Sequence, residues 1–373
     1  MEYRDFGRSG VKLSRLGFGA MRLPMMEKDG KQVVNDELAI PALQRAYEKG
    51  VNYFDTAWGY CERDSQRATG KAIKPFRDKV YLSTKLPMWY IEKPDDFWYY
   101  LEKQLTELDT DYIDFYHFHS VNRAHFREKI LPFKLIDLAE QAKAKGMIKY
   151  LSFSFHDTPD IMKEIADTGA FDSLLCQYNL IDRTNEEMMR YCKEEKNMGI
   201  VNMGPVGGGN IAHGGEEFIK KFKTKAKSGV ELAFRFVYGF DYLDCSISGM
   251  ESIEMVEENA AIFEEAARTM TKEEWNDIAE GAEEILKLSD LYCTGCNYCN
   301  TCPTKIPIST VFKAYNMWKV WGLPEPAKRL YKGIEADNHP SKCISCMICM
   351  ENCPQKIEIP GRLATAISEL ETL

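Results

Sequence analysis

Eight of the chain's twelve cysteines crowd into two short runs, CTGCNYCNTCP from Cys293 to Pro303 and CISCMICMENCP from Cys343 to Pro354. Zinc usually takes two Cys-x2-Cys pairs a dozen or more residues apart. Three cysteines at successive three-residue steps, with a fourth before a proline, suit a cubane iron-sulfur cluster instead. The candidate ligands are Cys293, Cys296, Cys299, Cys302, Cys343, Cys346, Cys349 and Cys353. A second set of reactive groups stands earlier: Asp55 and Tyr60 in NYFDTAWGY, Lys85 in STKLP and His119 in YHFHS. A phenol with an ordinary pKa of about 10 is a poor proton donor at neutral pH. A nearby ammonium must ease its ionisation, and a carboxylate must orient that ammonium. Tyr, Lys, Asp and His supply those roles if the fold brings them together.

The elements that must do so alternate short β-rich runs with longer amphipathic stretches. Candidate strands are Arg15 to Gly19, Asn52 to Thr56, Val80 to Lys85, Ile113 to His119, Ile148 to Ser154, Ser173 to Gln177, Ile200 to Gly204 and Leu243 to Ser248. Between them lie helical patterns such as DELAIPALQRAYEKG (36 to 50), with an acidic first turn and Gly50 as its stop. PDDFWYYLEKQLTELD (94 to 109) and FKLIDLAEQAKAKG (133 to 146) follow the same grammar. Strand-then-helix units need parallel pairing, and closing eight of them into a (β/α)8 TIM barrel removes both sheet edges. An open doubly wound sheet is the runner-up. In a barrel the chemistry belongs at the C-terminal ends of the strands, and Asp55, Tyr60, Lys85 and His119 all map to that rim.

The 373 residues suffice for one barrel and an accessory module. The other four cysteines, Cys61, Cys176, Cys192 and Cys245, are scattered and lack ligand spacing, so they read as small buried residues. The expected division is a barrel over 1–286 and an iron-sulfur domain over 287–373. The latter holds ten Lys or Arg against eight Asp or Glu, a formal +2, which leaves −11 for the rest of a chain whose total is −9. That acidity argues against nucleic acid as a partner. The opening MEYRDFGRSG carries Glu2, Arg4, Asp5 and Arg8 in place of an apolar signal core, and no apolar run reaches about 18 residues. A cytoplasmic protein with no membrane partner is expected, in a reducing compartment where cysteines ligate metal and do not pair.

Residues 1 to 265 resemble the aldo-keto reductase family through FGRSGVKLSRLGFGAMRLP, NYFDTAWGY, STKLP, DTDYIDFYHFHS, MIKYLSFSFHD, NMGPVGGGN and SISGMESIEMVEEN. The resemblance implies that Tyr60 is the general acid/base, polarised by Lys85 and Asp55, with His119 positioning the substrate carbonyl. His117 shares a strand face with His119 and reads as a barrel-interior residue, whereas His156 follows the fifth strand on the active rim. Trp58, Trp89, Tyr90 and His125 are candidates for an aromatic substrate pocket.

The same resemblance implies NAD(P)H. Ser154 matches the serine that meets the carboxamide, Gly207, Gly208 and Gly209 the loop passing the pyrophosphate, and Glu258 and Asn259 the adenine contacts. Three positions depart from the pattern: the asparagine after the serine is Phe155, the carboxamide glutamine aligns with Leu175, and the aromatic that stacks on nicotinamide aligns with Met203. The lysine and arginine that would pair a 2′-phosphate align with Gly249 and Met255, among Glu251, Glu254 and Glu257. Like charge there makes NADH the expected form.

The second cysteine run has the spacing of bacterial two-cluster ferredoxins, and the first is one residue shorter before its last cysteine. Resemblance to those ferredoxins implies two [4Fe-4S] clusters, in which the fourth cysteine of each run ligates the other cluster. One set would be Cys293, Cys296, Cys299 and Cys353, the other Cys343, Cys346, Cys349 and Cys302. Such an interlock tolerates the insert from 303 to 342, whose aromatics are expected to pack around the clusters or the barrel mouth. Three functions remain open. One is carbonyl reduction, or its reverse, with NAD(P)H. Another is a reductase fed with electrons by its clusters from a partner such as ferredoxin. The third is an electron-transfer protein with an inactive barrel.

Overall fold

In a computed structural model that describes residues 1–286, 293, 295 and 297–373, the strand-forming runs close into a barrel. Its strands are β3 (Leu16–Gly19), β6 (Tyr53–Asp55), β7 (Tyr81–Leu86), β8 (Ile113–Val121), β9 (Ile148–Phe155), β10 (Ser173–Gln177), β11 (Gly199–Met203) and β12 (Cys245–Ser248). They are all parallel and lie in chain order around the cylinder, with β12 pairing back onto β3. The remaining strands form two antiparallel hairpins that the strand reading did not foresee: β1 (Tyr3–Asp5) with β2 (Lys12–Ser14), and β4 (Met25–Lys28) with β5 (Lys31–Val34). Asp29 and Gly30 turn the second hairpin, both with positive φ (52° and 72°).

The described helices are α1 (Asp36–Glu48), α2 (Ser65–Ile73), α3 (Asp96–Leu108), α4 (Leu135–Ala144), α5 (Pro159–Asp167), α6 (Glu186–Glu194), α7 (Glu216–Ile219), α8 (Gly229–Gly239), α9 (Ile253–Thr269), α10 (Lys272–Leu286), α11 (Ile308–Lys319), α12 (Pro324–Lys332), α13 (Ile348–Glu351) and α14 (Ile359–Leu370). Helix α1 shows how the sequence builds them. The Asn35 side chain caps its start by accepting the Glu37 N–H, Ala39, Ala42, Leu43 and Ala46 bury one face, and Gly50 turns away with φ +89°.

The chain divides into two compact units, residues 1–177, 184–203 and 240–269 forming one, residues 178–183, 204–239 and 270–373 the other. The first unit contains the whole barrel. Phe6, Leu13, Tyr53, Phe115, Leu175, Val201, Cys245 and Ile247 fill its interior. The first hairpin contributes Phe6, whose ring lies so close to Gly199 that a Cβ there would sit 2.5 Å from it.

At the N-terminal ends of the strands a polar clamp recurs. A residue at the start of every second barrel strand accepts the N–H of a residue in, or just before, the preceding one: Asn52 from Ser14 (2.8 Å), Asp114 from Leu82 (3.0 Å), Asp172 from Leu151 (3.0 Å) and Asp244 from Ile200 (2.8 Å). The three aspartates are also paired with cations, Asp114 with Arg77 and Lys149, Asp172 with Arg8 and Lys143, and Asp244 with Lys193. Asp114 and Asp244 are buried, and buried carboxylates are tolerable only with such partners. The clamps lock strands two by two in register.

In the second unit α8 and α10 are joined by a buried ion pair, Arg235 donating to Glu274 through Nε at 2.9 Å and Nη2 at 2.5 Å. The cysteine-rich part is helical. Ile306, Val311, Phe312, Tyr331, Ile359, Leu363 and Leu370 form its core together with Cys299, Cys349 and Cys353. An internal repeat runs through it, CPTKIPI (302 to 308) leading into α11 and CPQKIEI (353 to 359) into α14. Left-handed residues fall at matched offsets in the two halves: Gly295 and Ser345, Asn297 and Met347, Lys305 and Lys356.

Candidate functional site

Strand alternation and register assemble the barrel's reactive groups. Asp55, the last residue of β6, lies opposite Ser83 of β7, and Lys85, two residues along the same face, lies opposite His117 of β8. Lys85 donates to Asp55 Oδ2 at 2.6 Å and to the Thr56 carbonyl at 2.8 Å, and the Ser83 hydroxyl donates to Asp55 Oδ1 at 2.6 Å. Both members of the pair are 1 % exposed. The ammonium stands 4.7 Å from the centre of the Tyr60 ring, and the His119 ring meets that ring edge-on at 6.0 Å. Asp55, Tyr60, Lys85 and His119 are therefore brought together on one rim.

Tyr60 is delivered by a strained loop. Cys61, Glu62 and Arg63 follow it in succession with φ of 51°, 52° and 71°, a left-handed run without glycine. Ser65 Oγ anchors the loop by donating to the Ala20 carbonyl at 2.7 Å. Desolvation, then Asp55 and Cys61, push the phenol well above its ordinary value, so it holds its proton at neutral pH. Burial and the Lys85 ammonium keep the His119 and His117 imidazoles well below the usual histidine range and hence neutral. His117 faces inward, within 3.2 Å of the Tyr53 hydroxyl, as a barrel-interior residue should. Burial pushes the Cys61 thiol up to about 11, which makes it a protonated neighbour and not a nucleophile.

Among the pocket aromatics, Trp89 covers His119 at 4.6 Å and lies nearly parallel to His125 at 6.4 Å. Trp58 is buried, edge-on to Tyr100 at 5.2 Å, with Lys103 over its face at 4.9 Å. Tyr90 is exposed and stacks with Tyr100.

Ser154 is buried in β9, where its Oγ accepts the Ser120 N–H at 2.7 Å and keeps its own proton for donation. Leu175, the position that aligns with the carboxamide glutamine, packs in the barrel interior and lies opposite Ser154 in the register. Gln177, two residues on and last in β10, is the residue that reaches the strand's C-terminal end. It shares a strand face with Leu175. Met203 packs against the same interior cluster. In α9, Asn259 is buried and donates to Ser248 Oγ at 3.2 Å, while Glu258 is exposed. Glu257 is paired with Lys49 at 2.5 Å and with Arg45, so it is not a free negative charge, and the Arg22 side chain runs beside Gly249. Gly207, Gly208 and Gly209 belong to the second unit, where φ values of 58°, 68° and 92° demand glycine in succession.

The cysteines surround two cavities, each of about 320 Å³ with its open mouth included. One is lined by Cys302, Cys343, Cys346 and Cys349, the other by Cys293, Cys299 and Cys353. Cys296 lies outside the described residues. Ile308 lines both. Although burial opposes it, the Cys302 thiol is held below its ordinary value by Thr304 Oγ1 and by backbone N–H groups of residues 304 to 306. Left-handed residues stand beside the cysteines of both runs, at Gly295, Asn297, Lys305, Ser345, Met347 and Lys356.

A closed parallel barrel with this rim, followed by a helical module of paired cysteine cavities, defines an oxidoreductase barrel joined to an iron-sulfur module. Residues 15–283 match the model of the Aldo/keto reductase family and residues 292–358 that of the 4Fe-4S dicluster domain. The chain belongs to the aldo/keto reductase family. It is 28% identical over 263 residues to an uncharacterized oxidoreductase, YqkF, of Bacillus subtilis (strain 168), covering 68% of this chain and 78% of that protein. To an L-galactose dehydrogenase of Arabidopsis thaliana it is 23% identical over 316 residues, 78% of this chain and 97% of that one. The aldo-keto reductase AKR11C1 from Bacillus halodurans, in its holo form, superposes with a TM-score of 0.64 at 25% identity, over 75% of this chain and 96% of that one. Among the described residues no helix is long and apolar enough to cross a membrane.

Proposed function

We propose that the chain reduces the carbonyl of a small molecule, or oxidises the matching alcohol, with a nicotinamide dinucleotide and with Tyr60 as general acid and base. The observation that carries the reading is the buried Lys85–Asp55 pair beside the Tyr60 ring, with neutral His119 at its edge. Bound NAD(P)H supplies a hydride to the carbonyl carbon. Tyr60 gives its proton to the carbonyl oxygen, which leaves a phenolate. Lys85 stabilises that charge as it forms, and Asp55 holds the ammonium in place. His119 donates a hydrogen bond that orients the carbonyl oxygen. In the oxidative direction the phenolate takes the alcohol proton back.

Ser154 and Gln177 are suited to the carboxamide, Glu258 and Asn259 to the adenine, and Gly207, Gly208 and Gly209 to the pyrophosphate. NADH stays the preferred form because Glu251 and Glu254 remain near Met255, although the pairing of Glu257 and the approach of Arg22 to Gly249 weaken that preference. In the domain over 287–373 we assign one [4Fe-4S] cluster to Cys293, Cys296, Cys299 and Cys353, and the other to Cys343, Cys346, Cys349 and Cys302. The clusters would store single electrons for exchange with a partner such as ferredoxin, in the cytoplasm.

The test is anaerobic turnover of NADH and NADPH against a panel of carbonyl compounds. Carbonyl-dependent oxidation, lost by at least a hundredfold in Tyr60→Phe, supports the reading, and a Tyr60→Phe rate within twofold of the native one overturns it. Phe155 and Met203, which leave the nicotinamide ring without its usual neighbours, favour a second reading in which the clusters feed the substrate. Its mark is turnover with reduced ferredoxin or dithionite and no dinucleotide binding.

A further inference from the structure

The glycine run is not an independent loop. Inside the second unit, the residue that follows it, Asn210, is buried to 8 % exposure, and its side-chain amide donates to the Cys293 carbonyl at 2.8 Å. Cys293 is the first cysteine of the first run and lines the cavity shared with Cys299 and Cys353. The segment is fastened elsewhere in the same unit. Asn179 donates to the Gly204 carbonyl at 2.8 Å, Phe218 packs edge-on against the buried Trp321 ring at 4.7 Å, and Glu274 accepts from Thr224 Oγ1 and the Lys225 N–H, both at 2.9 Å. Asn210 thus ties the segment of the three left-handed glycines to a cysteine of the cavity.

We infer that Asn210 couples the glycine loop to the first iron-sulfur site, so that a filled cluster site and a dinucleotide pyrophosphate on the loop strengthen one another. The assignment rests on the function proposed above for Gly207–Gly209. The physical argument is one of shared ordering. Three successive glycines lose more backbone freedom on being fixed than any other residues would. Ligation of Cys293 Sγ fixes its backbone, and with it the carbonyl that Asn210 holds. A dinucleotide arriving at a loop already tied down has less disorder to remove, and by linkage the bound dinucleotide must stabilise the ligated cysteine by the same factor. Coupling of this kind typically amounts to about 5- to 150-fold. About tenfold is expected for a single hydrogen bond.

The experiment uses the full chain with both clusters, purified anaerobically. Loss of visible absorbance to an iron chelator is followed with and without saturating NAD+, and NADH affinity is measured by fluorescence titration on the same samples. In the native protein NAD+ should slow the loss of the chelator-sensitive fraction about tenfold. In Asn210→Ala, and again in Asn210→Asp, which lacks the donor, that protection should vanish and NADH should bind about tenfold more weakly, with iron content and thermal midpoint retained. A native protein that binds NADH but shows no protection overturns the coupling alone, as does full protection in both variants. Variants that lose iron or unfold without NAD+ would show a merely structural role and overturn it too. No dinucleotide binding by the native protein overturns both the coupling and the nicotinamide reading beneath it.

Discussion

Replacing Lys85 by methionine removes the ammonium while keeping the length of the side chain. That ammonium stands 4.7 Å from the centre of the Tyr60 ring, inside a site where both it and Asp55 are 1 % exposed. At an effective dielectric of about 20, a unit charge developing at that distance is stabilised by about 3.5 kcal/mol, which corresponds to a few hundredfold in rate. Steady-state dinucleotide oxidation with a carbonyl substrate should therefore show kcat falling a few hundredfold in Lys85→Met. Stability changes too, because Asp55 keeps only the Ser83 hydroxyl as a donor and becomes a buried, unpaired carboxylate, at a cost of about 3 to 5 kcal/mol in a urea titration. The double variant Lys85→Met/Asp55→Asn separates the two effects. It should regain most of the stability and none of the activity. A single variant within threefold of native kcat, or a double variant in which activity returns with stability, would refute the electrostatic role given to Lys85.

Three further outcomes follow from the geometry. Below about pH 6.5 the unfolded chain takes up protons that neutral, buried His117 and His119 refuse, so stability should fall with pH by about 1.4 kcal/mol per unit for each histidine. Urea midpoints between pH 7 and 5 should show this slope, and His117→Phe should reduce it; an unchanged slope would contradict the neutral assignment. Anaerobically purified protein should carry about eight irons per chain, and Cys346→Ala should bleach part of the visible absorbance, whereas zinc in place of iron would end the cluster assignment. Asp244→Asn should lower the unfolding free energy by about 1 to 3 kcal/mol, because it discharges the Lys193 pair while the Ile200 N–H keeps an acceptor, with kcat unchanged within twofold.

Much of the barrel was legible because its strands are short β-branched or aromatic runs between amphipathic helices. Ser173–Gln177 coincides with its expected strand, and the helix expected over 36 to 50 forms over Asp36–Glu48. The β4–β5 hairpin escaped although Asp29–Gly30 is a strong turn signal, because both strands are exposed and mostly polar and show no apolar face. The convergence of Asp55, Lys85 and His119 could be read from strand-end positions, but the strained turn that delivers Tyr60 could not, since Cys61, Glu62 and Arg63 are not left-handed formers. Leu175 and Gln177 share one face of β10, so alternation alone does not choose between them. The clamps made by Asn52, Asp114, Asp172 and Asp244 join consecutive barrel strands across 21 to 44 residues of chain, and no local pattern announces them.

Those clamps have a consequence for how the molecule can change. They hold the staves of the cylinder together two at a time at its base, the end opposite the one where Asp55, Lys85 and His119 converge. Four quarter-turns, each fastened below, leave the upper loops free to be lengthened or exchanged without disturbing the strand alignment beneath. A chain organised this way can acquire an iron-sulfur appendage and a new substrate while its foundation stays as it was.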